Sequence, residues 1–308
     1  MENKKNEIKK GDVLIASGHR ACAGCGLMVS AMAATRAMGP DVIIANATGC
    51  SEVTTTPYPE SSWKVPWIHS LFENASAVAS GIRAALDAKA KREGKEIKTK
   101  VIAQGGDGAT FDIGIGLISG MWERGDDVVY IYYDTEIYSN TGYQASGATP
   151  LGASTSTAPA GKKSLGSTQR KKDMIGIALA HGLKYVAQTT AGFPQDITAK
   201  VKKALEMGGP AYVQIMAPCI PGWGLKPSDA MKAGKLAVQT GLYPQLEFID
   251  GKLTSASKMK EFKPVEEYLK IQARFKHLFT SQEGQNEIRY IQSIADNAIS
   301  RFGLRADL

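Results

Sequence analysis

The stretch Thr99-Lys100-Val101-Ile102-Ala103-Gln104-Gly105-Gly106-Asp107-Gly108-Ala109, followed by Val128-Val129-Tyr130-Ile131-Tyr132-Tyr133-Asp134-Thr135-Glu136-Ile137-Tyr138-Ser139-Asn140, decides how this chain folds. The run Val101–Gln104 reads as a strand that breaks on a glycine turn. Those glycines permit a tight strand-to-helix transition and let backbone amides approach phosphate oxygens. A helix over Ile113–Trp122 then leads to a continuous apolar strand, Val128–Asp134, of the kind buried on both faces of a parallel sheet. Asp107 stands at the carboxyl end of the first strand, where ligands bind in open α/β sheets. A hard cation such as Mg2+ takes one or two protein oxygens at such a place, together with phosphates. Thr135, 28 residues after Asp107 at the end of the next strand, offers a second ligand.

Working outward, Val42–Ala45 reads as a strand ending at the Cys50 turn, and Asn74–Ala90 as an Ala-rich helix. Ala211–Met216 is another strand, ending just before Cys219. Strands alternating with helices predict an α/β protein, a doubly wound, mostly parallel sheet covered on both faces. Residues 138–168 form a long Gly/Ser/Thr/Ala/Pro segment, a loop length that is either functional or disordered in a compact domain. From about Ile249 the composition shifts to charged, amphipathic sequence. This divides the chain into residues 1–249 and a helical C-terminal arm, 250–308, laid against the core or a partner and carrying no further strand.

The four cysteines are Cys22, Cys25, Cys50 and Cys219. The first three lie in glycine-flanked turns, Ala23-Gly24-Cys25-Gly26 and Thr48-Gly49-Cys50. One C-x-x-C pair with two distant partners can ligate a zinc ion or an iron–sulfur cube tetrahedrally, and cysteine count alone does not separate the two. A redox-active C-x-x-C pair is the third possibility.

The chain has 308 residues, 43% of them hydrophobic, enough for one large core or a core plus an arm. No apolar stretch approaches the roughly 18 residues that suggest a membrane span. Residues 1–10 are charged throughout and carry no signal region, so the protein reads as cytoplasmic, where thiols stay reduced. Net charge is +7, and residues 160–235 hold 12 Lys/Arg against 4 Asp/Glu. That excess reads as a solvated face or as a docking patch for an acidic partner. No nucleic-acid motif accompanies it. Within it, Arg170-Lys171-Lys172 is expected to face solvent. His69, between Trp67 and Phe72, reads as a hydrogen-bonded structural histidine, His181 and His277 as surface or packing residues, and Glu52 and Glu73 as helix-surface or capping residues.

Gly106-Asp107-Gly108 with Asp134–Gly142 resembles the thiamine-diphosphate motif of the 2-oxoacid:ferredoxin oxidoreductases, most closely the beta subunits of their multi-subunit pyruvate enzymes. Gly18–Gly26, Trp67–Asn74, Ser156–Lys162 and Ala217-Pro218-Cys219 match as well, so the resemblance spans roughly residues 11–245. It implies a thiamine pyrophosphate-binding fold in which Gly106, Asp107 and Gly108 meet the cofactor. Asp107, the Thr135 side chain and the Ile137 carbonyl would hold Mg2+, and Asn140 would face the reacting carbon. Thr135 stands where many thiamine enzymes carry Asn, as pyruvate:ferredoxin oxidoreductases often do. Cys22, Cys25, Cys50 and Cys219 would ligate the 4Fe–4S cluster nearest the cofactor. A thiamine site favours the cluster over zinc, because its reducing intermediates need an electron exit.

The implied partners are a pyrimidine-binding alpha subunit, a gamma subunit, a ferredoxin-like delta subunit and ferredoxin, with coenzyme A and the 2-oxoacid at a shared site. Only one strand–Gly-Asp-Gly–helix unit is present, so the chain alone is expected to be inactive. Pyruvate is the expected substrate. Alternatives are 2-oxoisovalerate, 2-oxoglutarate or oxalate, or a metal-stabilised scaffold subunit with a decayed thiamine site.

Overall fold

A computed structural model describes residues 8–306. Residues 1–7, most of the charged opening segment, lie outside the described residues. In chain order the elements are α1 (Gly26–Met38), β1 (Val42–Asn46), α2 (Cys50–Thr55), β2 (Trp67–His69), α3 (Ala75–Glu93), β3 (Lys100–Gly105), α4 (Asp107–Phe111), α5 (Ile115–Glu123) and β4 (Val128–Asp134). A short ribbon follows, β5 (Ala160–Gly161) and β6 (Ser164–Leu165). The second half holds α6 (Met174–Ala180), β7 (Tyr185–Thr190), α7 (Pro194–Met207), β8 (Ala211–Met216), α8 (Ile220–Trp223), α9 (Ala230–Gln239), β9 (Leu246–Ile249), β10 (Lys252–Ala256), α10 (Val265–Lys270) and α11 (Gln282–Arg301).

Eight strands form one sheet in the order β10-β9-β7-β8-β4-β3-β1-β2. The six from β7 to β2 run parallel, and β9 and β10 add an antiparallel edge. β4 shows why its sequence is apolar without alternation. Val129, Ile131 and Tyr133 pack on one face with α1 and α7, while Val128, Tyr130 and Tyr132 pack on the other with α5 and α6. Helices on both faces leave no strand side wet.

Parallel strands also fix where the site is. β1, β3, β4 and β8 are neighbours, so the residues just after their carboxyl ends gather on one rim. Those residues are Cys50, Asp107, Thr135 and Cys219.

Two expectations need correction. β2, β7 and β9 are strands of the sheet that the sequence pattern did not predict, and β10 is a strand inside the segment 250–308, expected to hold none. The 249/250 boundary falls in a two-residue hairpin turn, Asp250-Gly251, with φ of 48° and 74°. Asp-Gly in that left-handed pair is a hairpin signal in its own right, missed beside the compositional shift. The helical remainder is laid against the core: Val265, Tyr268, Leu269, Phe275, Ile288 and Ile291 are buried in one cluster with Met216, Trp223 and Leu236. Among the described residues, no helix is long and apolar enough to cross a membrane.

Candidate active site

Asp107 opens α4 directly after β3 and is 3% exposed. Its Oδ1 accepts from the Thr135 N–H at 3.2 Å and lies 3.3 Å from Thr135 Oγ1, while Ser146 Oγ donates to Oδ2 at 2.6 Å. Thr135 Oγ1 in turn lies 2.9 Å from the Ile137 carbonyl oxygen. The Tyr132 hydroxyl sits between two carboxylates, 2.9 Å from Asp107 and 2.8 Å from Asp134. Burial first, and the neighbouring Asp134 charge second, push the Asp107 carboxyl up to about 7, against the pull of Ser146, Tyr132 and Lys171.

Three hard oxygens, from Asp107, Thr135 and Ile137, therefore converge at adjacent strand ends, a donor set suited to Mg2+. The glycines divide their work. A Cβ on Gly105 would meet the Tyr130 hydroxyl at 2.7 Å, and one on Gly108 would strike the Phe72 ring. Nothing stands within 4 Å of a Cβ on Gly106, so that position leaves open room beside the amides of the turn. A diphosphate needs that approach. Gly106, Gly108 and Asp107 line one cleft together with Cys50, Thr135, Ile137, Phe72 and Asn140, whose side chain is exposed.

The cysteines come together beside this cleft. The Gly26 N–H donates to the Pro218 carbonyl at 3.2 Å, and a Cβ on Gly26 would lie 2.6 Å from Pro218 N, so the Cys22–Cys25 turn rests against the segment before Cys219. Burial pushes Cys50 up to about 12, followed by the fields of Cys219, Cys25 and Cys22. Cys25 and Cys219 are raised for the same first reason, with Cys22 adding to both; for Cys219 the Ser139 hydroxyl and the Gly222 N–H work the other way. Among the described residues, no three His, Cys, Asp or Glu side chains stand in the geometry of a formed metal site. The thiols are neighbours rather than a closed set. A cation bound by them would reverse the sign of these shifts, since coordinating thiols are deprotonated outright.

Behind the Thr135–Ile137 segment lies a buried charge network that the sequence did not suggest. Lys171, expected in solvent, has a side chain only 19% exposed and pairs with Asp134 and with Glu136 at 2.9 Å. Lys172 pairs with Asp112 at 3.0 Å and Arg170 lies over the Tyr290 ring. Glu136 also accepts from Arg274 at 2.5 Å. Burial opposes ionisation of Glu136, but the fields of Lys171 and Arg274 outweigh it and hold the carboxyl below its usual range. Five of the twelve cations in residues 160–235 are ion-paired within the chain, which thins the expected basic patch. His69 is hydrogen-bonded to Thr48 Oγ1 at 2.7 Å and stacked on Trp67, the structural arrangement expected of it.

The chain matches the thiamine pyrophosphate enzyme family's C-terminal TPP binding domain over residues 47–215. That match over more than half of the chain, on this fold, places it among the thiamine pyrophosphate enzymes. Pyruvate synthase subunit PorB of Methanosarcina barkeri is 52% identical over 291 residues, covering 94% of this chain and 97% of the relative. The PorB subunit of Thermotoga maritima is 41% identical over 96% and 93% of the two chains. Ketoisovalerate oxidoreductase subunit VorB of Pyrococcus furiosus is 39% identical over 85% of each. A 2-oxoglutarate:ferredoxin oxidoreductase from Magnetococcus marinus shares the fold, with a TM-score of 0.57 at 24% identity over 76% of this chain and 82% of that one. This chain belongs to the family of pyruvate synthase subunit PorB, within the 2-oxoacid oxidoreductases.

Proposed function

We propose that this chain is the thiamine diphosphate- and cluster-binding subunit of a cytoplasmic, CoA-acylating pyruvate synthase. The observation that carries the reading is the convergence of the Asp107, Thr135 and Ile137 oxygens beside four neighbouring cysteines. The overall reaction turns pyruvate, coenzyme A and oxidised ferredoxin into acetyl-CoA, CO2 and reduced ferredoxin, reversibly. Pyruvate is preferred to other 2-oxoacids because identity to the pyruvate subunit, 52%, exceeds that to the ketoisovalerate subunit, 39%. The intact oxygen set argues against a decayed scaffold.

When bound, thiamine diphosphate supplies a carbanion-stabilising ring for decarboxylation and a 4Fe–4S cluster supplies a one-electron exit. Asp107, Thr135 Oγ1 and the Ile137 carbonyl would hold Mg2+, and the turn at Gly106–Gly108 presents amides to the diphosphate. Asn140, exposed at the cleft, would face the reacting carbon. Cys22, Cys25, Cys50 and Cys219 would ligate the cluster. Leu71, next to the cleft residue Phe72, is a 61% exposed apolar side chain, suited to contact with the pyrimidine-binding partner subunit. The gamma and ferredoxin-like subunits complete the assembly.

The test is the purified complex, assayed for thiamine diphosphate, iron, sulfide and zinc, then for turnover of a panel of 2-oxoacids. A brown protein with highest kcat/KM for pyruvate is expected. A colourless, zinc-bearing protein overturns the cysteine reading, and preference for another 2-oxoacid overturns the substrate.

A further inference from the structure

We propose that Glu136 is a positioning residue whose carboxylate, held by Lys171 and Arg274, fixes the shape of the Thr135–Ile137 segment. That shape is what brings the Thr135 hydroxyl and the Ile137 carbonyl together beside the Asp107 carboxylate. The proposal rests on the reading above that these three oxygens would hold Mg2+, and it assigns a residue that need not touch the ion. Glu136 lies between Thr135 and Ile137 with a φ of 56°, a left-handed value that non-glycine residues seldom adopt. Such a conformation persists only where the surroundings over-determine it.

The backbone around it is pinned. The Glu136 N–H donates to Asp134 Oδ1 at 3.2 Å, and the Glu136 carbonyl accepts from Thr149 Oγ1 at 2.9 Å. The Thr135 carbonyl accepts from the Trp223 indole N–H at 2.8 Å. Two consecutive carbonyls are thus taken by donors from outside the segment. The third, of Ile137, is the one that meets Thr135 Oγ1, at 2.9 Å.

The side chain is held by two cations. Lys171 Nζ lies 2.9 Å from Glu136 Oε1, and Arg274 Nη2 lies 2.5 Å from Oε2. Lys171 also pairs with Asp134, so one ammonium bridges the carboxylates on either side of Thr135. Arg274 is itself fixed. Its Nε donates to Gln272 Oε1 at 2.9 Å, and its guanidinium lies 3.9 Å over the ring of Trp223, whose indole holds the Thr135 carbonyl. Stability alone does not account for this arrangement, because a buried ion-pair network seldom outdoes well-packed apolar residues of the same volume. What it supplies is geometry, with cations from two remote segments closing on one carboxylate. Partners that orient a metal's ligands without touching it typically cost about 10- to 100-fold in affinity when removed.

The experiment uses the assembled complex as wild type, Glu136→Asp and Glu136→Gln. Aspartate keeps the charge and tolerates the left-handed backbone, but its carboxylate sits one carbon short of both cations. The readouts are the Mg2+ concentration that half-saturates thiamine diphosphate binding, the EPR line shape of Mn2+ bound in its place, and the melting temperature without cofactor. Glu136→Asp should raise the half-saturating Mg2+ concentration about tenfold or more and broaden the Mn2+ signal, with the melting temperature little moved. Glu136→Gln leaves two buried cations short of a partner, so it should also melt earlier. A merely structural residue would lower the melting temperature and leave metal affinity and line shape as they are. Wild-type half-saturation in Glu136→Asp therefore overturns the proposal, whatever its melting temperature. Should that variant fail to assemble, Lys171→Arg, which keeps the charge but moves it, is read in the same way. A wild-type complex that binds thiamine diphosphate with no dependence on Mg2+ or Mn2+ overturns the metal reading, and the proposal with it.

Discussion

At Asp107 one carboxylate accepts from Tyr132, Thr135 and Ser146, and on the proposed reading it would also offer oxygens to a cation. The two can be separated. Asp107→Asn keeps size and part of the hydrogen bonding but loses the charge, so it should lose bound thiamine diphosphate with little change in melting temperature. Asp107→Ala should lose the cofactor and also about 1–3 kcal/mol of stability for each buried donor left without its acceptor. Cofactor content by mass spectrometry beside a thermal melt reads both. Undiminished content in the Asn variant would overturn the assignment.

Among the elements, the decisive contact is between the Cys22–Cys25 turn and the segment entering α8. A Cβ on Gly26 would meet Pro218 backbone and ring atoms at 2.6 to 2.7 Å. Backbone cannot swing aside as a side-chain tip does. Gly26→Ala should therefore cost about 1–3 kcal/mol of overpacking and push two of the cysteines away from Cys219. Iron content should drop although all four thiols remain, with thiamine diphosphate content unchanged. At the other end of the contact, Cys219 caps α8, its Sγ accepting from the Gly222 N–H at 3.3 Å. Cys219→Ser preserves that cap in kind, so it should lose the visible sulfur-to-iron absorption while α8 keeps its place. Electron transfer to ferredoxin should suffer more than decarboxylation, which precedes it. A wild-type spectrum retained in either variant would count against the cluster geometry.

Across the whole molecule, the described residues hold one Gly-Asp-Gly strand end and no second α/β unit that would meet the pyrimidine half of the proposed cofactor. The loop 138–168, whose length read as functional or disordered, is partly packed within the chain. Ser146 reaches Asp107, Thr149 Oγ1 donates to the Glu136 carbonyl, and the Ser154 N–H donates to the Arg274 carbonyl. The isolated chain, reconstituted with cluster, Mg2+ and thiamine diphosphate, should show no pyruvate- and CoA-dependent dye reduction. Turnover comparable to the full complex would show it to be self-sufficient.

What the sequence by itself determined is local or periodic. The β4 boundaries, the helix after the glycine turn and the Asp107–Thr135 spacing were legible because each depends on neighbours in the chain or on burial of both strand faces. The C-x-x-C pair was legible as a ligand pattern for the same reason. Only the tertiary structure decided that Lys171 leaves a run of surface charge to pair with Asp134 and Glu136, or that Arg274, 138 residues from Glu136, pairs with it. A lysine reads alike in water or beside a buried carboxylate until the fold supplies the partner. Which polar residues are buried together is a property of the packed sheet, its parallel strand ends and the segment that closes over them.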